Sequence, residues 1–582
     1  MVKFIIDGIQ LEAKEGTTIL EAASLHHINI PHLCYLKDIN DIGACRICVV
    51  EVEGKEKLIT SCNTIVQEGM ILYTNSPKVR ETRRMNVQLL LSQHDCECAY
   101  CSRSGNCSLQ TISNDLGITH LPFEKQVTYS AWNKNFPMIR ESNKCIKCMR
   151  CIQICDKVQN LNVWDVSATG SRTTVNVSLN RKIEESDCSL CGQCITHCPV
   201  NALHVRDDTE KVFDALNDPD KVCVVQIAPA VRVAWGESLG LSREEATIGK
   251  MACALRRMGA DYVFDTDFAA DLTIMEEANE FLERLQHADK DNMPMFTSCC
   301  PGWVRFLKSQ YPDMVSHLST SKSPHQMFGA VIKTYMASKL GIDPDALFVI
   351  SIMPCVAKKH EISIDNINDA DSGNDVDVVL TTREFIRMLH AEHVAIETLT
   401  DETLDQPMKA ASGAGVIFGA TGGVMEAALR TAYFAVTGSN PDPDAFKEVR
   451  GMQGWKSSIF HINNTTLSVA IVSGLGNTRK LIEAIRRKEV HYDFIEVMAC
   501  PGGCSGGGGQ PIHDGKEMAE VRAKALYSLD ANDTLRYSHE NPDIQTLYNE
   551  FLGTPLSEKA EELLHTDHFG WSMPCSNDNK QI

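Results

Sequence analysis

The cysteines constrain this chain more than any other feature of its sequence. Of 24 cysteines in 582 residues, sixteen lie within residues 1–198 and eight are scattered between 223 and 575. The sequence begins without a secretory signal pattern, which favours a reducing compartment, where cysteines bind metals more often than they form disulfides. We therefore predict a metal-dense first third, followed by a larger body in which a few cysteines have special roles.

The overall composition is that of an ordinary folded protein. Hydrophobic residues make up 43% of the chain and charged residues 23%, which excludes a disordered or fibrous protein. The net charge of −20 argues against nucleic acid or an anionic membrane as the main partner. No run of 18 or more uncharged apolar residues occurs, so no membrane span is expected and the cytoplasm is the expected location.

Two cysteine runs carry the most specific spacing. Both follow the C-x2-C-x2-C-x3-C pattern of bacterial two-cluster ferredoxins, in which the fourth cysteine of each run ligates the other cluster. One 4Fe–4S cluster is therefore expected on Cys145, Cys148, Cys151 and Cys198. The other is expected on Cys188, Cys191, Cys194 and Cys155.

Two further sets of candidate ligands precede these runs. The spacing C-x10-C-x2-C-x13-C suits a 2Fe–2S cluster, although plant-type ferredoxins have four residues, not ten, between the first two cysteines; its members are Cys34, Cys45, Cys48 and Cys62. The other set joins one imidazole to three thiolates, and its position between two iron–sulfur modules favours a 4Fe–4S cluster; its members are His94, Cys98, Cys101 and Cys107. A structural zinc ion is the alternative for both sets.

Strand and helix patterns divide the chain into four parts, giving a multi-domain α+β protein. Alternating strands at 2–7, 47–52 and 70–74, with a helix capped by Thr18, predict a β-grasp 2Fe–2S ferredoxin domain at 1–77. A small His/Cys cluster domain follows at 78–125 and a two-cluster ferredoxin domain at 126–210.

The remaining part, 211–582, is predicted to be one large mixed α/β domain. Buried apolar strands at 222–227, 346–352 and 467–472 alternate with helices such as 272–285, which indicates a mixed or parallel sheet covered by helices. Glycine-rich segments at 413–423 and 502–509 mark places where backbone approaches something closely.

Three segments of this large domain carry widely separated cysteines: 297–303, 353–359 and 498–504. They resemble the three signature motifs of iron–iron (FeFe) hydrogenases, and the cysteine sets upstream resemble the accessory clusters of multi-cluster members. The resemblance therefore covers the whole chain. The nearest likeness is to catalytic subunits of NAD(P)-linked, electron-bifurcating hydrogenases, and single-chain ferredoxin-linked clostridial enzymes are nearly as similar.

The resemblance implies an H-cluster and reversible H2 oxidation and proton reduction. It implies a 4Fe–4S cubane held by Cys300, Cys355, Cys500 and Cys504. Cys504 would also bridge to a two-iron unit with carbon monoxide, cyanide and azadithiolate ligands, installed by maturation proteins. With one 2Fe–2S and three accessory 4Fe–4S clusters, the chain would hold about 20 irons.

The resemblance also implies a proton path. Cys299 matches the first proton acceptor, and the path continues through Glu277, Ser319 and Glu280 to Arg284. The two glutamates and the arginine are spaced i, i+3, i+7, which places them along one helix face. Without the resemblance, a solvated helix face with a Glu280–Arg284 ion pair is the simpler interpretation.

Further positions match residues around the active site. Lys358 matches a lysine that pairs with an iron-bound cyanide. The pocket-lining matches are Pro229, Ala230, Ser323, Pro324, Met353, Phe418 and Met498. His325 is a departure, because glutamine is expected there, and a titratable ring beside the two-iron unit is a possible source of altered pH profile or catalytic bias. Cys96, Cys223, Cys253 and Cys575 match no pattern.

The electron partners are expected to be ferredoxin, a flavin- and NAD(P)-binding subunit, or both. The chain has no convincing G-x-G-x-x-G after a strand, so nicotinamide chemistry is expected on a partner. A basic segment with Lys78, Arg80, Arg83 and Arg84 could face an acidic partner, or could be an ordinary charged helix face. The alternatives are a stand-alone ferredoxin-linked hydrogenase, a non-catalytic electron-transfer subunit like that of respiratory complex I, and an H2 sensor.

Overall fold

The computed structural model describes residues 1–287, 292–463 and 465–574, and Cys575 lies outside these ranges. Within them, every helix is too short or too polar to cross a membrane.

Residues 1–77 form a five-stranded mixed sheet with one helix packed against it. Its elements are β1 (Val2–Ile6), β2 (Ile9–Ala13), α1 (Ile19–Leu25), β3 (Val49–Val52), β4 (Ile59–Thr60) and β5 (Ile71–Tyr73). The strand order is β2-β1-β5-β3-β4, with β1 antiparallel to β2 and parallel to β5. Thr18 and Glu21 form a capping box that starts α1 where the sequence predicted it.

The next region is made of short elements around the cysteine runs. They are α2 (Pro77–Ser92), α3 (Ser108–Asp115), β6 (Met138–Arg140), α4 (Arg150–Gln153), β7 (Trp164–Ser167), β8 (Thr174–Val177), α5 (Gln193–Thr196), β9 (Leu203–Val205) and α6 (Thr209–Leu216). β6 pairs with β9 and β7 with β8, both antiparallel. A left-handed residue, Met149 or Gly192, precedes α4 and α5 respectively, so the two runs repeat one local turn.

Helix α2 corrects one expectation about the basic segment. Arg83 does not face outward: it is 5% exposed. Its guanidinium donates to the carbonyl oxygens of Ile47, Val49 and Thr74 at 2.9, 3.0 and 3.2 Å. This arginine therefore ties α2 to the first sheet, because buried carbonyl groups need donors.

The large domain contains two four-stranded sheets, where the patterns predicted a mixed or parallel sheet. Its first half holds β10 (Val222–Ile227), α7 (Pro229–Arg232), α8 (Ile248–Arg257), β11 (Tyr262–Asp265), α9 (Thr266–Gln286), β12 (Met295–Phe296), α10 (Pro301–Gln310), α11 (Pro324–Val331), α12 (Ala337–Leu340), β13 (Leu347–Met353), α13 (Lys358–Glu361), β14 (Val378–Thr381) and α14 (Thr382–Ala391). Its second half holds α15 (Gly413–Val416), α16 (Gly423–Thr437), β15 (Trp455–Ile462), β16 (Thr465–Ser473), α17 (Leu475–Arg486), β17 (Phe494–Met498), α18 (Ala519–Asn532), α19 (Pro542–Leu547) and α20 (Glu558–Leu564).

The two sheets differ in strand direction. The first, β11-β10-β13-β14, is entirely parallel, with Val222 opposite Leu347 in its central pair. The second, β12-β17-β16-β15, is parallel except for the antiparallel edge strand β15. The central strands are mostly apolar and buried, although each includes a polar residue such as Gln226, Ser351 or Glu496. Largely apolar strands are expected when helices cover both faces of a parallel sheet.

Candidate active site

The three cysteine segments of the large domain follow strands of the two sheets. β13 ends at Met353, two residues before Cys355, and β17 ends at Met498, two residues before Cys500. Cys300 follows β12 and is the residue before α10. Because ligand sites in parallel α/β sheets lie beyond the carboxyl ends of the strands, these segments meet at one place.

The thiols of these segments are buried next to one another. Burial and the neighbouring Cys300 raise the pKa of Cys355 to about 12. Burial, Cys300 and Cys355 raise the pKa of Cys504, and burial with Cys191 and Cys355 raises that of Cys500. Four buried thiols that cost this much to ionise fit a group that brings its own positive charge, since metal binding deprotonates a thiol outright.

A cavity of about 70 Å³ adjoins the thiols of Cys300, Cys355 and Cys504. It offers roughly five times the space that one water molecule needs. Its walls include eight of the predicted residues: Pro229, Ala230, Cys299, Pro324, Met353, Lys358, Phe418 and Met498. His325 also lines it, whereas Ser323 does not and instead lines a neighbouring cavity.

The predicted proton-path residues form a buried line that starts at this cavity. Ser319 Oγ donates to Glu280 Oε2 at 2.6 Å, and Arg284 Nη2 donates to Glu280 Oε1 at 2.5 Å. Glu277 lies near the Ser298 N–H and the Ser319 hydroxyl, and burial together with Glu280 raises its pKa to about 8. Neither oxygen of Glu277 is hydrogen bonded within the described residues.

The alternative of a solvated helix face is wrong for this part of α9. Glu277 and Glu280 are 0% and 7% exposed. The predicted Glu280–Arg284 ion pair is present, but it lies at the outer end of a buried polar line. Cys299 stands at the cavity end of that line, where burial and Glu277 raise its pKa.

Glu361 is a site residue that the sequence analysis missed. Its Oε2 accepts from Lys358 Nζ at 2.9 Å and lies 2.7 Å from His325 Nε2. Lys358 Nζ also lies 3.4 Å from the carbonyl oxygen of Cys299. The i, i+3 spacing of Lys358 and Glu361 was a signal for this pair.

The charges in this cluster of Lys358, Glu361 and His325 are interdependent. Although burial opposes it, Lys358 and His325 lower the pKa of Glu361 to about 2. Burial and Lys358 lower the pKa of His325 to about 4. The arrangement is therefore a buried ammonium–carboxylate pair with a neutral imidazole beside it.

The accessory sets are also brought together by the fold. Cys198 lies near Cys148 and Cys151 of the first run, and Cys155 lies near Cys188 and Cys191 of the second. The fourth cysteines therefore cross over between the two runs. In the most N-terminal set, Cys34 adjoins Cys45, and Cys48 adjoins Cys62.

The histidine set has one oriented imidazole. His94 Nδ1 lies 2.8 Å from the carbonyl oxygen of Lys144, which favours a proton on Nδ1 and leaves the Nε2 lone pair available to bind a metal. Cys101 lies near Cys107. Within the described ranges, no group of three or more His, Cys, Asp or Glu side chains is spaced for a single metal ion.

The unmatched cysteines have different surroundings. Cys96 is exposed, whereas Cys223 and Cys253 are buried in the core of the parallel sheet.

Direct contacts link one cysteine set to the next. Asn40 Nδ2 lies 2.7 Å from the carbonyl oxygen of Cys34 and 2.9 Å from that of Cys148. Cys107 Sγ lies 3.7 Å from the carbonyl oxygen of Pro199. At the other end, Cys500 Sγ lies 3.5 Å from the carbonyl oxygen of Cys191. A Cβ at Gly508 would stand 2.6 Å from that same oxygen, so only glycine permits this approach.

The fold and the site together define an iron–sulfur oxidoreductase. The family profile for the iron only hydrogenase large subunit, C-terminal domain, matches residues 221–508, and that for the iron hydrogenase small subunit matches 516–571. Upstream, profiles for a 2Fe-2S iron-sulfur cluster binding domain, an NADH-ubiquinone oxidoreductase-G iron-sulfur binding region and a 4Fe-4S dicluster domain match 1–77, 83–122 and 144–202.

Two known proteins are similar in sequence to nearly the whole chain, and a solved structure matches its larger part. It is 46% identical to the NADP-reducing hydrogenase subunit HndD of Solidesulfovibrio fructosivorans, covering 98% of this chain and 99% of that protein. It is 39% identical to iron hydrogenase 1 of Clostridium pasteurianum, covering 97% and 99%. A solved structure of apo [FeFe]-hydrogenase HydA1 from Chlamydomonas reinhardtii, in a variant with histidine in place of one cysteine, is 43% identical with a TM-score of 0.57, covering 63% of this chain and 99% of that one.

The chain belongs to the FeFe-hydrogenase family. It is an oxidoreductase with ferredoxin-like iron–sulfur domains before a mixed α/β hydrogenase domain.

Proposed function

We propose that this hydrogenase interconverts H2 with protons and electrons at an H-cluster held by Cys300, Cys355, Cys500 and Cys504. The observation that carries the proposal is the convergence of three strand-end segments on one mostly apolar cavity. Cys300, Cys355 and Cys504 line this cavity, and Cys500 lies near these three cysteines. When bound, the H-cluster supplies an open metal position and a base for splitting H2. Every other task at the site falls to the chain's own residues.

Protons are proposed to leave along the buried line from Cys299 to Arg284. Cys299 lines the cavity, and Glu277 has a pKa raised to about 8 by burial and Glu280. Its proton is therefore neither as tightly held as that of an alcohol nor as easily lost as that of an exposed carboxyl, which suits a relay near neutral pH. Ser319 and Glu280 complete the line, hydrogen bonded at 2.6 Å.

The apolar walls have a complementary task. Ala230 and Met498 exclude bulk water, and Lys358 presents a desolvated ammonium at the cavity. A fixed positive charge of this kind stabilises anionic ligands far more strongly in a dry site than in water. We assign Lys358 the binding of the anionic ligands on the two-iron unit.

Electrons are proposed to travel over four accessory clusters: one 2Fe–2S in a β-grasp domain at 1–77, one His-ligated 4Fe–4S at 78–125, and two 4Fe–4S at 126–210. The contacts through Asn40, Pro199 and Cys191 support this arrangement, because each joins one ligand set to a backbone carbonyl group at another. The two N-terminal clusters both lead to the set around Cys148, and the set around Cys191 leads to the hydrogenase domain, residues 211–582.

The partner is proposed to be a flavin- and NAD(P)-binding subunit acting together with ferredoxin. The relative HndD is described as a subunit of an NADP-reducing hydrogenase, and the N-terminal clusters give this chain two candidate entry points. A ferredoxin-linked enzyme without such a subunit is the alternative.

The test is an assay of matured protein. We expect H2 evolution from reduced ferredoxin, about 20 irons per chain, and NAD(P)-linked turnover only after a flavin subunit is added. Protein that is loaded with iron and two-iron unit but turns over no H2 would contradict the proposal. Full NAD(P)-independent turnover that a flavin subunit never alters would favour the stand-alone alternative.

A further inference from the structure

The buried arginines of this chain fall into two groups. Seven arginines are buried among the described residues. Three of them form ion pairs with carboxylates at 2.6–2.7 Å: Arg150, Arg430 and Arg522. The other four have no carboxylate oxygen within 4.0 Å in the part of the chain that the structure describes: Arg83, Arg103, Arg140 and Arg305.

The four arginines of the second group carry charges that the fold leaves without a balancing anion. Each is only 5% exposed, and arginine stays protonated in proteins. Backbone carbonyl groups accept hydrogen bonds from them, but a carbonyl group has no net charge. Because a buried charge is strongly unfavourable unless it is paired, each guanidinium needs a negative partner other than a side-chain carboxylate.

Two of these arginines lie beside the ligand sets that come first in the sequence. Arg83 donates to the carbonyl groups immediately before and after Cys48, at 2.9 and 3.0 Å. Arg103 donates to the carbonyl group immediately before Cys107, at 2.6 Å. Burial raises the pKa of the Cys107 thiol and the charge of Arg103 opposes this, so the guanidinium is close enough to act on the thiol.

The other two lie beside the two ferredoxin-type sets. Arg305, on α10, donates from Nε to the carbonyl oxygen of Cys188 at 3.0 Å. Burial lowers the pKa of Arg305 to about 10, and Cys188 and Asp187 oppose this. Arg140 lines a small cavity together with all four proposed ligands of one 4Fe–4S cluster: Cys145, Cys148, Cys151 and Cys198. One buried arginine without a carboxylate therefore accompanies each of the four accessory ligand sets.

The chemistry of the proposed clusters explains this pairing. Iron–sulfur clusters with thiolate ligands are net anions, and reduction adds one further negative charge. A fixed positive charge nearby therefore stabilises the reduced cluster more than the oxidised cluster, most strongly where water is excluded.

We propose that Arg83, Arg103, Arg140 and Arg305 are the counter-charges of the four accessory clusters and that each raises the reduction potential of its own cluster. They act through charge and make no bond to iron. This inference rests on the clusters assigned under the proposed function, but not on hydrogen turnover. Arg150 is excluded, because Asp514 already balances its charge.

The 2Fe–2S set gives the sharpest test, because a 2Fe–2S cluster is detectable by EPR at temperatures where 4Fe–4S signals are broadened away. Full-length protein made without the maturation proteins is titrated electrochemically. Arg83→Met is expected to lower the ratio of reduced to oxidised cluster at a given potential by roughly tenfold, a midpoint shift of about −59 mV for one electron. Arg83→Lys keeps the charge and is expected to restore most of the wild-type midpoint.

Arg84→Met is the matched control. Arg84 is the next residue on α2 but is exposed, so solvent screens its charge and we expect an unchanged midpoint. An unchanged midpoint in Arg83→Met, or an equal shift in Arg84→Met, would overturn the proposal for the 2Fe–2S cluster.

Arg305→Met is the second variant, in case Arg83→Met no longer holds its cluster. One 4Fe–4S midpoint, followed by EPR at low temperature, is expected to fall by the same tenfold ratio. Arg256→Met is the control, because Arg256 is paired with Glu402 and Asp405, and is expected to shift none of these midpoints. If no midpoint moves in Arg305→Met, the proposal is wrong for the 4Fe–4S clusters.

The same titrations separate this inference from the proposed function. Wild-type protein without a reducible 2Fe–2S signal would contradict the cluster assignment itself. A wild-type signal whose midpoint does not respond to Arg83→Met would overturn only the role of the arginine, and the proposed electron path would stand.

Discussion

The first third of the chain and the large domain use cysteine in opposite ways. In residues 1–210 eight of the fifteen proposed cysteine ligands are core members: Cys48 and Cys62 lie in the core of the first sheet, and others, such as Cys34, Cys155 and Cys188, lie in the next core. The core around the parallel sheet of the large domain contains none of the proposed ligands. Cys300 and Cys504 of the large domain lie instead at the edges of three smaller cores.

This difference follows from how much apolar surface each region can bury. The N-terminal domains are of a size at which a hydrophobic core alone is marginal, so metal clusters supply part of the folding free energy. We expect the large domain, which has two sheets covered by helices, to fold without iron. Its active-site thiols are therefore free to serve chemistry, and the cavity can exist before the cofactor arrives.

Iron removal is expected to produce the largest difference between the two regions. We expect chelation under reducing conditions to unfold residues 1–210 while the large domain keeps its structure. Amide hydrogen exchange read region by region is the measurement, with β1 and β10 as reporters of the two parts. Equal loss of protection in both strands would show that the large domain also depends on iron.

A pair of single substitutions tests the same difference between the two regions, one cysteine in each. Cys198→Ala is expected to lower both iron content and the free energy of unfolding of the N-terminal region. Cys355→Ala is expected to abolish hydrogen turnover while the apparent Tm of the large domain stays unchanged. Cys253→Ser is the control, because this buried cysteine lies in the core of the parallel sheet, which contains none of the proposed ligands. Turnover that survives Cys355→Ala would remove this thiol from the active site.

The two regions were also unequally predictable from sequence. Spacing alone paired Cys198 with the first run and Cys155 with the second, because the crossed ferredoxin arrangement is encoded locally. Strand 222–227 was predicted to the residue, since a buried parallel strand is a continuous apolar run. In contrast, strand β2 was missed, although its sequence Ile9-Gln-Leu-Glu-Ala13 alternates apolar and polar residues as a half-buried strand does.

What the sequence could not provide is the meeting of distant segments. Asn40 contacts the backbone of Cys148, 108 positions away, and Arg83 is buried against the first sheet, although each reads as an ordinary polar residue. The division into two sheets depends likewise on which strands pair, and hydrophobic patterns carry no such information. The i, i+3 spacing of Lys358 and Glu361 could have been noticed in the sequence. Only the structure, which places Glu361 beside His325, shows that this ion pair belongs to the active site.

The proton path distinguishes the large domain from a plain electron carrier. Glu277→Gln is expected to lower turnover by about 10²–10⁴-fold, because glutamine cannot pass a proton between Cys299 and Ser319. Glu283→Gln is the matched control on the same helix, since Glu283 is 59% exposed. Equal turnover in the two variants would remove Glu277 from the path.

The same variant gives a pH-dependent effect on stability. The pKa of Glu277 is raised to about 8 by burial and Glu280, so the folded state binds this proton more tightly than the unfolded state does. Its contribution to stability is complete below about pH 4.3, the ordinary value, and is lost as the pH rises through 8. Relative to Glu277→Gln, the wild-type protein should therefore lose a few kcal/mol between these limits, at roughly 1.4 kcal/mol per pH unit. Parallel denaturation curves for the two proteins over this range would show that the carboxyl group is not buried in this way.

The smallest expected effect concerns His325, where relatives are expected to have glutamine. Burial and Lys358 lower its pKa to about 4, so the ring is neutral between pH 5 and 8 and acts through its contact with Glu361. We expect His325→Gln to change the ratio of H2 oxidation to proton reduction by roughly fivefold, the effect of about one hydrogen bond, without changing the shape of the pH profile in that range. His393→Gln, at an exposed position, is the control. A step in the pH profile of the wild-type enzyme near pH 6.5 that disappears in His325→Gln would show that the ring titrates during turnover. An unchanged ratio of H2 oxidation to proton reduction would leave this histidine with a packing role alone. In that case the active site of the large domain tolerates either side chain.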